Sequence, residues 1–129
     1  MVFSHDLKQV TVVIVEDHPE TRSLLSRFLT RQGARVIEAP DATTALRAIQ
    51  QCHPNVVLSD IGLPQRDGFE LLKEIRLLDS ANRHVPVIAM TALGGIVERQ
   101  RAIAAGFQEL LRKPFGPAEL LRALQSVLW

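Results

Sequence analysis

The sequence predicts one α/β domain built on a doubly wound, five-stranded parallel sheet with helices on both faces. Three observations carry that prediction. Five short runs of β-branched and aliphatic residues recur along the chain, continuously apolar rather than alternating, as in strands covered on both faces. Stretches with apolar residues at helical spacing follow these runs. Regular strand–helix alternation in turn demands parallel pairing through right-handed crossovers.

Residues 1–9 are mixed and aperiodic and read as a leader, leaving 10–129 as the domain. Val10–Val15 is the first strand, and it stops at Glu16-Asp17. Pro19 suits the first turn of the next helix, where its missing N–H costs nothing. Leu24, Leu25, Phe28 and Leu29 give that helix its apolar stripe, and Gly33 ends it. Arg35–Ala39 is the second strand. Asp41 reads as an N-cap, followed by the stripe Ala42, Ala45, Leu46 and Ile49. Asn55–Ser59 is the third strand and delivers Asp60 to its C-terminal end; Gly62, Pro64 and Gly68 mark a tight loop after it.

Phe69, Leu71, Leu72, Ile75 and Leu78 form a third helix, and 79–84 is a polar connection. Val85–Met90 is the fourth strand, ending at Thr91-Ala92, with Gly94-Gly95 loosening the turn beyond. Ile96–Ala105 is a fourth, less apolar helix closed by Gly106. A short fifth strand lies within Phe107–Leu111 and runs into Arg112-Lys113-Pro114-Phe115. Pro117 opens a last helix carrying Leu120, Leu121, Leu124, Val127 and Leu128.

Composition narrows the function. A net charge of +1 gives no reason to expect nucleic acid or an anionic membrane as a partner. The arginines are scattered, and no helix-turn-helix unit is legible, so direct nucleic-acid binding is not expected. The single cysteine, Cys52, excludes an internal disulfide and a cysteine-based metal cluster. No signal peptide or bilayer-length apolar run is present, which makes the cytoplasm the expected compartment.

Doubly wound sheets of this size take the strand order 2-1-3-4-5, the flavodoxin-like arrangement, and bind ligands at the carboxyl ends of the strands. That order brings Glu16, Asp17 and Asp60 to one crevice. Three carboxylates there repel one another, and a hard divalent cation relieves the repulsion. Mg²⁺ suits the oxygen donors: Asp17 and Asp60 directly, Glu16 through water, and the Gly62 backbone carbonyl as a further protein ligand. Thr91 offers a hydroxyl to a phosphoryl oxygen, and Lys113 brings a compact positive charge. Metal and ammonium together would neutralise a transferring phosphoryl group, leaving Asp60 as a nucleophile that forms an aspartyl phosphate.

Glu16-Asp17, Asp60-Ile-Gly-Leu-Pro…Asp67-Gly68, Thr91-Ala92 and Lys113-Pro114-Phe115 together resemble the signature of response-regulator receiver domains of two-component signalling, of the CheY-like kind. The resemblance covers residues 10–128. It implies a phosphorelay switch in which Asp60 accepts a phosphoryl group from a phosphohistidine on a histidine kinase or phosphotransfer domain. It also implies that Glu16 and Asp17 hold Mg²⁺, that Thr91 and Ala92 form the switch position, and that Lys113 touches the phosphoryl group. The wording around Ile61–Pro64 and Ala102–Phe107 is most similar to receivers within hybrid kinases or multidomain regulators. Such receivers often carry an aromatic residue three before the lysine; here that residue is Leu110, which is assigned instead to a partner-docking face made by helix 4, strand 5 and helix 5. That face is expected to change on phosphorylation. Gly62, lacking a side chain, leaves the phosphoryl group open to water and implies a short-lived aspartyl phosphate.

No turnover of an outside substrate is expected. A haloacid-dehalogenase-type phosphatase would also use Mg²⁺ and a nucleophilic Asp, but it needs a second Asp where Gly62 stands, and a cap domain. A flavin module shares the fold, but an acidic crevice opposes an anionic phosphate. A receiver that binds partners without phosphorylation is the remaining alternative.

Overall fold

The computed structural model describes residues 6–93 and 95–129. Its elements are β1 (Thr11–Val15), α1 (Pro19–Arg31), β2 (Arg35–Ala39), α2 (Ala42–Cys52), β3 (Val56–Asp60), α3 (Gly68–Arg76), a 3₁₀ turn (Ala81–His84), β4 (Val87–Thr91), α4 (Ile96–Ala105), β5 (Glu109–Arg112) and α5 (Pro117–Leu128). All strand pairings are parallel, in the order β2-β1-β3-β4-β5, as the sequence predicts. No helix among the described residues is long and apolar enough to cross a membrane.

Both faces of the sheet are covered. Successive strand side chains point to opposite faces, so β1 sends Val13 and Val15 into one core and Val12 and Ile14 into the other. The first core packs against Ile49 of α2 and Leu71, Leu72 and Ile75 of α3. The second packs against Leu25 and Leu29 of α1 and Leu120 and Leu124 of α5. Burying each such side chain contributes about 1.5–3 kcal/mol.

Local chemistry starts and stops the helices. Pro19 sits in the first turn of α1. Asp41 caps α2 by accepting from Thr44 N–H at 2.8 Å. Gly106 ends α4 at φ +111°, a left-handed conformation that glycine adopts without a Cβ clash.

Several boundaries move. Asp60 and Thr91 are the last residues of their strands rather than the first beyond them. The fifth strand begins at Glu109, and Phe107 is instead a buried anchor beneath α4. The polar connection contains the 3₁₀ turn, inside which Asn82 is buried and bonded to His53. Residues 1–5 of the expected leader and Gly94 lie outside the described residues. Leu7, also in that leader, packs in the second core, with its N–H on the Gln32 carbonyl at 3.0 Å. Aperiodicity hid a single anchoring side chain.

Candidate functional site

The carboxyl edge of the sheet assembles the site. After β1, Glu16 N–H still bonds the Ala39 carbonyl at 3.0 Å, so the acidic pair leaves the sheet at a fixed point. Glu16 is fully buried. Its Oε1 accepts from Lys113 Nζ at 2.6 Å, and its Oε2 accepts from the His18 backbone N–H at 3.3 Å. Arg22 donates to the Glu16 carbonyl at 2.9 Å, tying α1 to the same spot.

Asp60 ends the central strand and is 8% exposed. Its two oxygens are divided: Oδ1 accepts from Gly62 N–H at 3.2 Å, and Oδ2 accepts from Lys113 Nζ at 3.3 Å. The loop after Asp60 folds back through Gly68, whose N–H meets the Ile61 carbonyl at 2.8 Å. A Cβ on Gly68 would lie 2.7 Å from the Asp60 carbonyl oxygen, closer than a side chain tolerates. Gly62 is the opposite case, since a Cβ there meets nothing within 4 Å.

Thr91 ends β4, and its Oγ1 accepts from Leu93 N–H at 3.0 Å. Lys113 follows β5 directly, its own N–H held by the Thr91 carbonyl at 2.7 Å. A crevice of about 500 Å³ opens between these groups, walled by Asp60, Gly62, Thr91, Ala92 and Lys113 together with His18, Thr21, Ile61 and Leu93. Burial works against the Lys113 ammonium, but the hydrogen bond to Glu16 and the charges of Asp60 and Glu16 outweigh it. Its pKa is raised above the usual 10.5.

Ligand atoms of Glu16, Asp17, His18 and Asp60 all lie within 4.8 Å of one another. Asp17 Oδ1 is buried and has no hydrogen-bond partner; the His18 Nδ1 nearest it, at 3.4 Å, is hydrogen-bonded instead to Glu16 Oε2 at 3.3 Å. A buried carboxylate oxygen in that state is costly, and an oxygen-seeking cation would satisfy it. The donor set therefore fits Mg²⁺.

The structure thus gathers Glu16, Asp17, Asp60, Gly62, Thr91, Ala92 and Lys113 around one crevice. Leu110 is elsewhere: 7% exposed and packed in the core with Val87, Ala102 and Phe107. Sequence reasoning did not single out His18 or Thr21. Their signal was position alone, one beside the acidic pair and the other in the first turn of α1.

The chain matches the family described as "Response regulator receiver domain" over residues 12–125. It is 40% identical over 120 residues to an uncharacterized 14.6 kDa protein in the sodA1 3′ region of Leptolyngbya boryana, covering 93% of this chain and 91% of that one. It is 31% identical to the probable transcriptional regulatory protein TcrX of Mycobacterium tuberculosis, over 95% of this chain but 51% of that protein. The chain likewise spans about half the length of the ycf27 probable transcriptional regulators, such as that of Cyanophora paradoxa. Among solved structures, the chemotaxis response regulator CheY4 of Vibrio cholerae superposes with a TM-score of 0.85 at 33% identity, over 92% of this chain and 98% of that one. The BeF₃-activated receiver domain of Klebsiella pneumoniae RstA gives 0.80 at 28%, over 92% and 97%. On sequence and fold together, this chain belongs to the receiver-domain family of two-component response regulators.

Proposed function

We propose that the chain is a phosphoacceptor switch in which Asp60 takes a phosphoryl group from a phosphohistidine on a histidine kinase or phosphotransfer domain. The observation that carries this reading is the Lys113 ammonium lying between Asp60 Oδ2 and Glu16 Oε1, beside the orphaned oxygen of Asp17. Glu16, Asp17, Asp60 and the Gly62 carbonyl would hold Mg²⁺. When bound, that ion supplies neutralisation of charge on the phosphoryl oxygens.

Asp60 attacks phosphorus, so an O–P bond forms as the donor's N–P bond breaks, and the released imidazole takes a proton from solvent. Lys113 holds one phosphoryl oxygen, and the Thr91 hydroxyl turns from the Leu93 N–H to donate to another. The outcome is a changed surface for a protein partner rather than a released product. Gly62 offers no acid two residues after Asp60, which argues against a phosphatase cycle.

Incubation with Mg²⁺ and a small phosphodonor should add one phosphoryl mass to the wild-type chain and none to Asp60→Asn. An unmodified wild type, or equal labelling of Asp60→Asn, overturns the reading. The open space at Gly62 gives a second test: Gly62→Asn should fit without displacement and slow loss of the aspartyl phosphate by screening it from water. An unchanged lifetime would refute the shielding argument.

A further inference from the structure

The proposed phosphorylation of Asp60 leaves a physical question: how the crevice reaches the outer face of the sheet when position 110 offers no ring. An aromatic ring does stand in the void beside Ile61 and Thr91, next to the crevice, on a different element. Gly68 is pressed against the Asp60 carbonyl and bonded to Ile61, so the residue after it, Phe69, rides on the same turn of backbone that grips Asp60. Phe69 packs edge-on against Phe107, with ring centroids 5.5 Å apart and an 81° interplanar angle. Over its face lies the Arg101 guanidinium of α4, 4.3 Å from the ring centroid.

The surroundings of this stack matter as much as its geometry. Phe69 and Arg101 line a void of about 60 Å³ together with Ile61, Thr91, Leu93 and Glu98. Two groups expected to respond at the crevice, the Asp60 loop and the Thr91 hydroxyl, therefore border the same small space. The helix that closes this space is loosely seated, because α4 buries only Ala102 among its described residues.

We infer that the Arg101–Phe69 stack is the joint through which the state of Asp60 sets the position of α4. As Thr91 turns toward a phosphoryl oxygen it gives up the Leu93 N–H, and the void beside it changes shape. Phe69 cannot follow freely, since Gly68 fixes it to Asp60. Arg101, an exposed cation on an aromatic face, makes a weak contact that is readily exchanged for another. Hence α4 shifts while α3 stays. Small changes at a site become discrete movements where the packed elements have two arrangements, and a loosely seated helix is the element free to have them.

The inference rests on the phosphorylation reading, and the test separates the two. Wild type, Arg101→Ala, Arg101→Lys and Phe69→Leu are treated with Mg²⁺ and a small phosphodonor. Intact mass gives phosphoryl uptake, and amide chemical shifts report on α4 and on the Asp60–Gly68 loop. None of these substitutions touches the crevice carboxylates or Lys113, so uptake should match wild type. Shift changes in the loop should persist. Those across Ile96–Ala105 should be at least halved in Arg101→Ala and Phe69→Leu, with Arg101→Lys in between because it keeps a cation. Phosphorylated Arg101→Ala with wild-type shifts across α4 overturns the joint. Absence of phosphoryl uptake in every chain, wild type included, overturns the Asp60 reading and the joint with it.

Discussion

Helices α3 and α4 border the same small void beside Ile61 and Thr91, and they are held in opposite ways. α3 opens on a reciprocal capping box, with Asp67 accepting from Glu70 N–H and Glu70 accepting from Asp67 N–H, and it buries Leu71, Leu72 and Ile75. α4 opens on Gly95 with no side-chain cap, buries Ala102, and exposes Ile96 and Val97 at 77% and 70%. The Arg99–Glu109 ion pair adds little, because exposed pairs contribute at most about 1 kcal/mol. One helix thus serves as a fixed wall for Asp60, and the other as the part with latitude to move. Firm and sparse anchoring are divided between neighbours instead of being averaged within one element.

Substitutions can break this contrast, and the largest effect should come from the wall. Leu71→Ala removes a fully buried side chain and should cost about 2–5 kcal/mol in urea unfolding. A cost below about 1 kcal/mol would mean that α3 is no better anchored than α4. Next, Gly68→Ala drives a methyl into the Asp60 carbonyl and should cost about 1–3 kcal/mol. Unlike Leu71→Ala, it should also slow phosphoryl uptake in still-folded protein, because it pushes on Asp60 itself.

The fold was legible because its signals are local and repeated. Continuous runs such as Val10–Val15 have few interpretations, and Pro19, Asp41 and Gly106 act on their own neighbours. The crevice was legible because each of its groups ends a strand, and strand order alone then brings them together. The weight of Leu7 was hidden, since one buried leucine in an aperiodic segment has no pattern. The Phe69–Phe107–Arg101 cluster was hidden too, because Phe69 and Arg101 read as ordinary helix and Phe107 as the edge of a strand until the three segments meet. Leu110, expected on a partner-docking face, is 7% exposed and lines a groove together with Arg99 of α4 and Arg122 of α5.

A subtler test concerns Lys113. Its pKa is higher folded than unfolded, so its contribution to stability is fully present below the usual 10.5 and is lost as pH climbs through the folded value. Wild type should therefore lose stability above pH 10.5 more steeply than Lys113→Met, as measured by denaturant midpoints across that range. Parallel curves would mean that the ammonium is not held by Glu16 and Asp60. The smallest effect belongs to the sparsely buried side: Val97→Ser should change stability by no more than about 0.5 kcal/mol, and a larger loss would show that α4 is anchored by its outer face.

Glu16 and its cation are 97 residues apart along the chain. A carboxylate sealed from water with no counter-charge is severely penalised, and the ammonium that meets Glu16 Oε1 arrives only with Lys113, just past β5. Completion of folding therefore also completes the crevice: until the chain beyond β5 docks, neither Glu16 nor Asp60 has the Lys113 ammonium beside it.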